Sequence, residues 1–93
     1  MRSAYNPSEQ EELLLEHEVD RENQIILYND DVNTFDWVIE CLVSVCQHDP
    51  MQAEQCSLIV HYNGKCAVKE GAFDQLRPIC EALIDRGLSA TIE

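Results

Sequence analysis

At Gln24 the chain changes character, and that change limits how much of it can fold. The stretch before it, MRSAYNPSEQEELLLEHEVDRE, is rich in Glu, with Leu13, Leu14 and Leu15 as its only apolar cluster. Such a segment buries too little surface to offset the entropy of ordering it, so residues 1–23 are expected to form a flexible acidic tail. Residues 24–93 then make one domain. A chain of 93 residues buries only about 60–65% of its unfolded surface, so the core is modest.

Residues 24–28 (QIILY) are aliphatic and β-branched, which predicts a buried strand. Asn29, Asp30, Asp31 and Val32 follow as a polar turn. Asn33 is the expected N-cap of a first helix, with Asp36 completing a capping-box-like pair. Val38, Leu42 and Val45 recur at helical spacing, widened by Ile39, Val43 and Cys46, so this helix runs to about Cys46. Asp49-Pro50 marks a second start, with Pro at the first helical position. That helix runs to about Tyr62, and Gly64 is its left-handed stop. Residues 65–69 (KCAVK) predict a second strand. A third helix is expected from about Ala72 to Arg86, stopped by Gly87. Pro78 inside it either kinks the helix or makes its first turn irregular. Leu88, Ala90 and Ile92 alternate, as a half-buried strand does. The order β-α-α-β-α-β predicts an α+β fold, a three-stranded antiparallel sheet packed against three helices.

Charge narrows the partners. With 18 acids against 6 bases the net charge is −12. A surface this acidic repels phosphate, which argues against nucleic acid and anionic membranes and suits a cationic ligand or a basic partner. No apolar run approaches the roughly 20 residues that cross a bilayer, and the N-terminus lacks the basic-then-apolar order of a signal peptide. The five cysteines, Cys41, Cys46, Cys56, Cys66 and Cys80, are odd in number and contain no CxxC. They are expected to be core thiols of a reduced, cytoplasmic protein.

Catalytic and metal sites fare poorly. Cys56 lies five residues before His61 on one helix, so the two point in different directions. Cys66 is placed on a strand, packing inward. Cys46-Gln47-His48 offers two donors without a second pair at ligand spacing, and His48 is expected at the surface. No enzyme activity, metal or cofactor is expected.

The informative cluster is polar and sits at element ends. Asn29, Asp30 and Asp31 leave the first strand, and His61 closes the second helix. If that helix packs over the strand end, these groups meet as acceptors suited to a small multi-donor cation such as an α-ammonium group. Phe35, Val38, Ser57, Val60 and Leu88 could line an apolar hole below. An Asx turn and a helix-terminal His held by the dipole would account for the same residues.

The two segments YNDDVNTFDWVIECL and IVHYNGKC, at their separation after an aliphatic strand, resemble the ClpS adaptor family. The hallmark stands here as Asn29-Asp30-Asp31 and His61-Tyr62-Asn63-Gly64-Lys65. The resemblance covers roughly residues 24–93. It implies the same β-α-α-β-α-β fold and an adaptor role in N-degron degradation. It also implies that Asn29, Asp30 and His61 hold the α-amino group of a substrate's first residue. Asp31, Asn33, Phe35, Val38, Ser57, Val60 and Leu88 would surround its side chain, Leu, Phe, Tyr or Trp. The implied partner is a ClpA- or ClpC-like AAA+ unfoldase with its peptidase, meeting a surface around Tyr62, Lys65, Asp74 and Arg77. Phe35 and Ser57 stand where the family usually has Met, and Ile79 stands where Lys is usual.

Overall fold

The computed structural model describes residues 22–93, so the segment assigned as a tail lies almost wholly outside the described residues. Six elements follow in the expected order: β1 (Asn23–Tyr28), α1 (Phe35–Cys46), α2 (Pro50–Asn63), β2 (Lys65–Gly71), α3 (Phe73–Asp85) and β3 (Ser89–Ile92). The sheet is antiparallel with β1 in the centre, between β2 and β3. Ile25 and Leu27 are fully buried on the helix-facing side of β1. They pack with Leu42 of α1, Val60 of α2, Leu76 and Leu83 of α3, and Leu88. Burying one such side chain contributes about 1.5–3 kcal/mol.

The helix boundaries follow local chemistry. α2 starts as its Asp49-Pro50 signal predicts: the Asp49 carboxylate accepts from the Gln52 amide at 2.8 Å. It stops at Gly64, whose φ of 95° only glycine adopts without strain. β2 runs to Gly71, two residues beyond expectation, because Gln24 and Asn23 of β1 continue the pairing.

The start of α1 is a correction. Thr34, not Asn33, is the N-cap, and its hydroxyl accepts from the Trp37 amide at 3.1 Å. Asn33 is engaged elsewhere: its amide group donates to Asp30 at 2.8 Å and to the Gly87 carbonyl at 2.9 Å. The third helical position is Trp37, so Asp36 completes no capping box. α3 continues through Pro78 as one helix, from Phe73 to Asp85. Pro78 has no amide hydrogen to offer the Asp74 carbonyl one turn before it.

His48 is the second correction. It is 5% exposed rather than a surface residue. Between Ile25 and Ile26 the register steps from Lys69 to Ala67, leaving Val68 as the extra residue of a β-bulge. The Val68 carbonyl, left out of the ladder, accepts from His48 Nε2 at 2.6 Å. Lys69 closes the same corner by donating to the Cys46 carbonyl at 3.1 Å. The His thus ties the α1–α2 turn to β2.

Candidate functional site

A groove of about 570 Å³ opens between the β1–α1 loop and the adjoining ends of α1 and α2. Its position follows from backbone bonding. The Gly64 carbonyl, just past α2, accepts from the Asn29 amide at 2.9 Å. That bond clamps the end of β1 against the last turn of α2, which carries His61. Asn29, Asp30 and His61 therefore line one groove, as expected if the helix packs over the strand end.

The loop is shaped by Asp30. One carboxylate oxygen accepts from the amides of Val32 and Asn33, each at 2.9 Å. The other accepts from the Asn33 side chain at 2.8 Å. Burial pushes the Asp30 carboxyl up, but the three donors from Asn33 and Val32 outweigh it and hold the group below its ordinary value. It therefore stays ionised, an anionic acceptor on the groove lining. Asp31 stands beside it, exposed. The Asx turn and the polar cluster at the strand end are thus one structure.

Two further bonds fix the loop from outside. Asn33 reaches the Gly87 carbonyl, and Trp37 Nε1 donates to the Arg86 carbonyl at 3.0 Å. Together they tie the start of α1 to the turn that ends α3. The same turn delivers Leu88, which with Val38 and Val60 lines a narrow recess of about 20 Å³ beneath the groove. Phe35 stands at the groove wall, 37% exposed, and Ser57 is 2% exposed.

Of the residues expected around a bound side chain, Asp31, Asn33, Phe35, Val38, Ser57 and Val60 line this groove, and Leu88 lines the recess. Leu58 joins the lining and was not foreseen. α2 carries apolar residues on every side, including exposed Met51, Leu58 and Ile59, so its periodicity gives no hint of which face is used. Tyr62, expected on a partner surface, lines the groove rim and is 77% exposed; its ring meets the His61 ring edge-on at 4.8 Å.

The four residues of the expected partner surface lie on three elements. Tyr62 lies in the last turn of α2 and Lys65 opens β2, whereas Asp74 and Arg77 lie on α3, beyond the other end of β2. Seven strand residues separate them, roughly 20 Å at about 3.3 Å per residue. Arg77 is paired with Glu81 at 3.7 Å on the exposed side of α3. Ile79 packs against the core, which is why a Lys would be out of place there.

The thiols are poorly disposed to nucleophilic chemistry. Burial, then the neighbouring Cys66, pushes the Cys56 thiol up to about 12, and burial raises Cys46 to about 11. A nucleophilic Cys needs the opposite shift. Among the described residues no three His, Cys, Asp or Glu side chains converge as metal ligands. No described helix is long and apolar enough to cross a membrane.

Fold and groove together define the class: a small α+β domain with an apolar groove lined by neutral and anionic acceptors. The sequence matches the family model described as ATP-dependent Clp protease adaptor protein ClpS over residues 18–91. An ATP-dependent Clp protease adapter protein ClpS from Lawsonia intracellularis is 37% identical over 68 residues, covering 68% of this chain and 62% of that protein. The chain thus spans a little under two thirds of that relative. A ClpS adapter from Campylobacter jejuni is 34% identical over 76 residues, covering 75% of this chain and 79% of that one. The fold superimposes on Agrobacterium tumefaciens ClpS2 bound to L-phenylalaninamide, with a TM-score of 0.73 and 21% identity, covering 80% of this chain and 96% of that one. The chain belongs to the ClpS family of Clp protease adaptors.

Proposed function

We propose that the groove captures the free α-amino group and the large apolar side chain of a polypeptide's first residue. The observation that carries this reading is the meeting of Asn29, Asp30 and His61 at the rim of an apolar cavity floored by Val38 and Val60. An ammonium group brings three donors and a positive charge, and the rim offers acceptors and a carboxylate. L-phenylalaninamide, bound to the Agrobacterium relative, has a free amine, a benzyl group and no carboxylate. The same chemistry suits this groove.

Burying an aromatic or Leu side chain contributes about 1.5–3 kcal/mol. Each hydrogen bond from the charged amine adds about 1.5–3 kcal/mol. Less the ordering costs, the total falls near −8 kcal/mol, which is micromolar binding. That strength fits cargo that must be released. Phe35, stiffer than Met, narrows the mouth, and the small Ser57 opens the floor. Together they favour flat Phe, Tyr and Trp over Leu.

The bearer of that residue is an N-degron substrate, presented in the cytoplasm to a ClpA- or ClpC-like AAA+ unfoldase and its peptidase. Asp74 and Arg77 lie away from the groove, so the unfoldase can be met while cargo is held. The adaptor performs no chemistry of its own.

The reading is tested by titrating peptides that differ only at residue one, each free and N-acetylated. Acetylation removes the charge and leaves acceptors unpaired at about 1–3 kcal/mol each, so affinity should fall more than tenfold. Equal affinity for the free and acetylated Phe peptides would sink the assignment.

A further inference from the structure

We infer that Cys56 of α2 and Cys66 of β2 form a dithiol modification site, which closes to a disulfide under oxidising conditions and fastens the helix to the edge strand. The five thiols are not alike. Cys41, Cys46 and Cys80 are buried, whereas Cys56 and Cys66 are partly open to solvent. Those two are also neighbours. α2 packs against β2, and both side chains lie against the core at that contact. The Gly64 turn folds β2 back beneath α2, which brings residues 56 and 66 together. After burial, the nearness of Cys66 is what pushes the Cys56 thiol up to about 12.

Cys56 lies off the groove. It lines a separate hollow on α2 with Met51, Gln55 and Ile59, while Ser57 and His61 line the groove. A bond made at Cys56 therefore leaves the groove lining in place. Poor disposition to catalysis does not prevent exchange with a partner already at hand. A thiol of high pKa is sparse as thiolate yet strongly nucleophilic once formed. The oxidant is a low-molecular-weight disulfide. Cys66 Sγ gives up its proton and attacks one sulfur, and the other sulfur leaves as a thiol carrying that proton. Cys56 Sγ then attacks Cys66 Sγ, and its own proton goes to the second departing thiolate. The protein loses two electrons and two protons, and the small disulfide becomes two thiols. In a reducing compartment such a bond is transient and reports oxidation.

The test is incubation of the folded full chain with oxidised glutathione, then unfolding, alkylation of the remaining thiols and mass spectrometry. Wild-type protein should take up alkyl groups on Cys41, Cys46 and Cys80 only, and carry one cross-link between Cys56 and Cys66. Cys56→Ser should instead keep a stable glutathione adduct on Cys66. The cross-linked wild type should unfold at a higher urea concentration than the reduced protein, with the difference gone after reduction. Five free thiols, a lasting glutathione adduct on wild-type Cys66, or a cross-link to another cysteine would overturn the inference. So would a cross-linked protein that unfolds at no higher urea concentration, because that bond would have formed in a distorted chain. The wild-type readings stand whether or not the variant folds.

Discussion

The carboxylate of Asp30 holds the loop together before any ligand arrives. Three hydrogen bonds from Val32 and Asn33 converge on it. Asp30→Asn should therefore be worse than the loss of a charge. Its amide nitrogen would face the Asn33 amide group, donor against donor. We expect amine binding at least tenfold weaker, with the fold retained. Stability carries a pH signature as well. The folded carboxyl lies below its ordinary value of 3.8 because Asn33 and Val32 outweigh burial, so its contribution is fully present above that value. It is lost as pH falls through the lowered folded value. Glu93, held low by the hydroxyl of Tyr28, shifts stability in the same direction, so only the comparison of wild type with Asp30→Asn isolates Asp30. In urea unfolding from pH 6 to pH 2.5, the gap between the two proteins should be constant above 3.8 and close below it. A gap that persists to the acid limit would show that the loop draws nothing from the charge.

At the scale of elements, the caps decide where the groove stands. Thr34→Ala removes the only side-chain cap of α1 and should cost about 1 kcal/mol, read as a lower urea midpoint with unchanged slope. Pro78→Ala should act in the opposite direction. It restores an amide to the Asp74 carbonyl inside a continuous helix, and despite the freer unfolded chain it should raise stability by about 1 kcal/mol or more. No gain would mean that the first turn of α3 already satisfies that carbonyl otherwise. These elements also show what could be read from the sequence. Asp49-Pro50, Gly64 and Gly87 mark their boundaries by local chemistry alone, and the polar runs after β1 and at the end of α2 name the rim of the groove. Thr34 was hidden because Asn33 is an equally good cap in isolation, and only the Gly87 carbonyl, distant in sequence, draws Asn33 away. His48 was hidden for the same reason, since its partner is a carbonyl freed by a bulge in β2. Leu58 was hidden because α2 is apolar on all sides. For Thr34 and His48, what stayed illegible is a contact between residues far apart in the chain.

For the whole molecule, the remaining question is what the first 20 residues do. The groove begins at Asn29, at the far end of β1 from residue 22, and the described residues that line it run from Asn29 to Tyr62. Deleting residues 1–20 should therefore leave peptide affinity nearly unchanged. Delivery is another matter. We propose that an unfoldase pulls on these residues as a tail, and 20 residues span at most about 65–70 Å when extended. Six of the 18 acids fall in residues 1–21, against two arginines, so the segment also adds negative charge to an already acidic molecule. That charge can steer the adaptor to a basic surface, over a range of about 8–10 Å at ordinary salt. The two contributions separate cleanly in a degradation assay with a Phe-initiated reporter and the cognate protease. Truncation should collapse the rate at unchanged binding. A neutral Gly/Ser/Gln segment of equal length should restore most of the rate if reach is the requirement, and little if charge is. In the second case the wild-type rate should fall with added salt while peptide affinity changes less. A truncated protein that still delivers at full rate would place the whole of the unfoldase contact on residues 21–93.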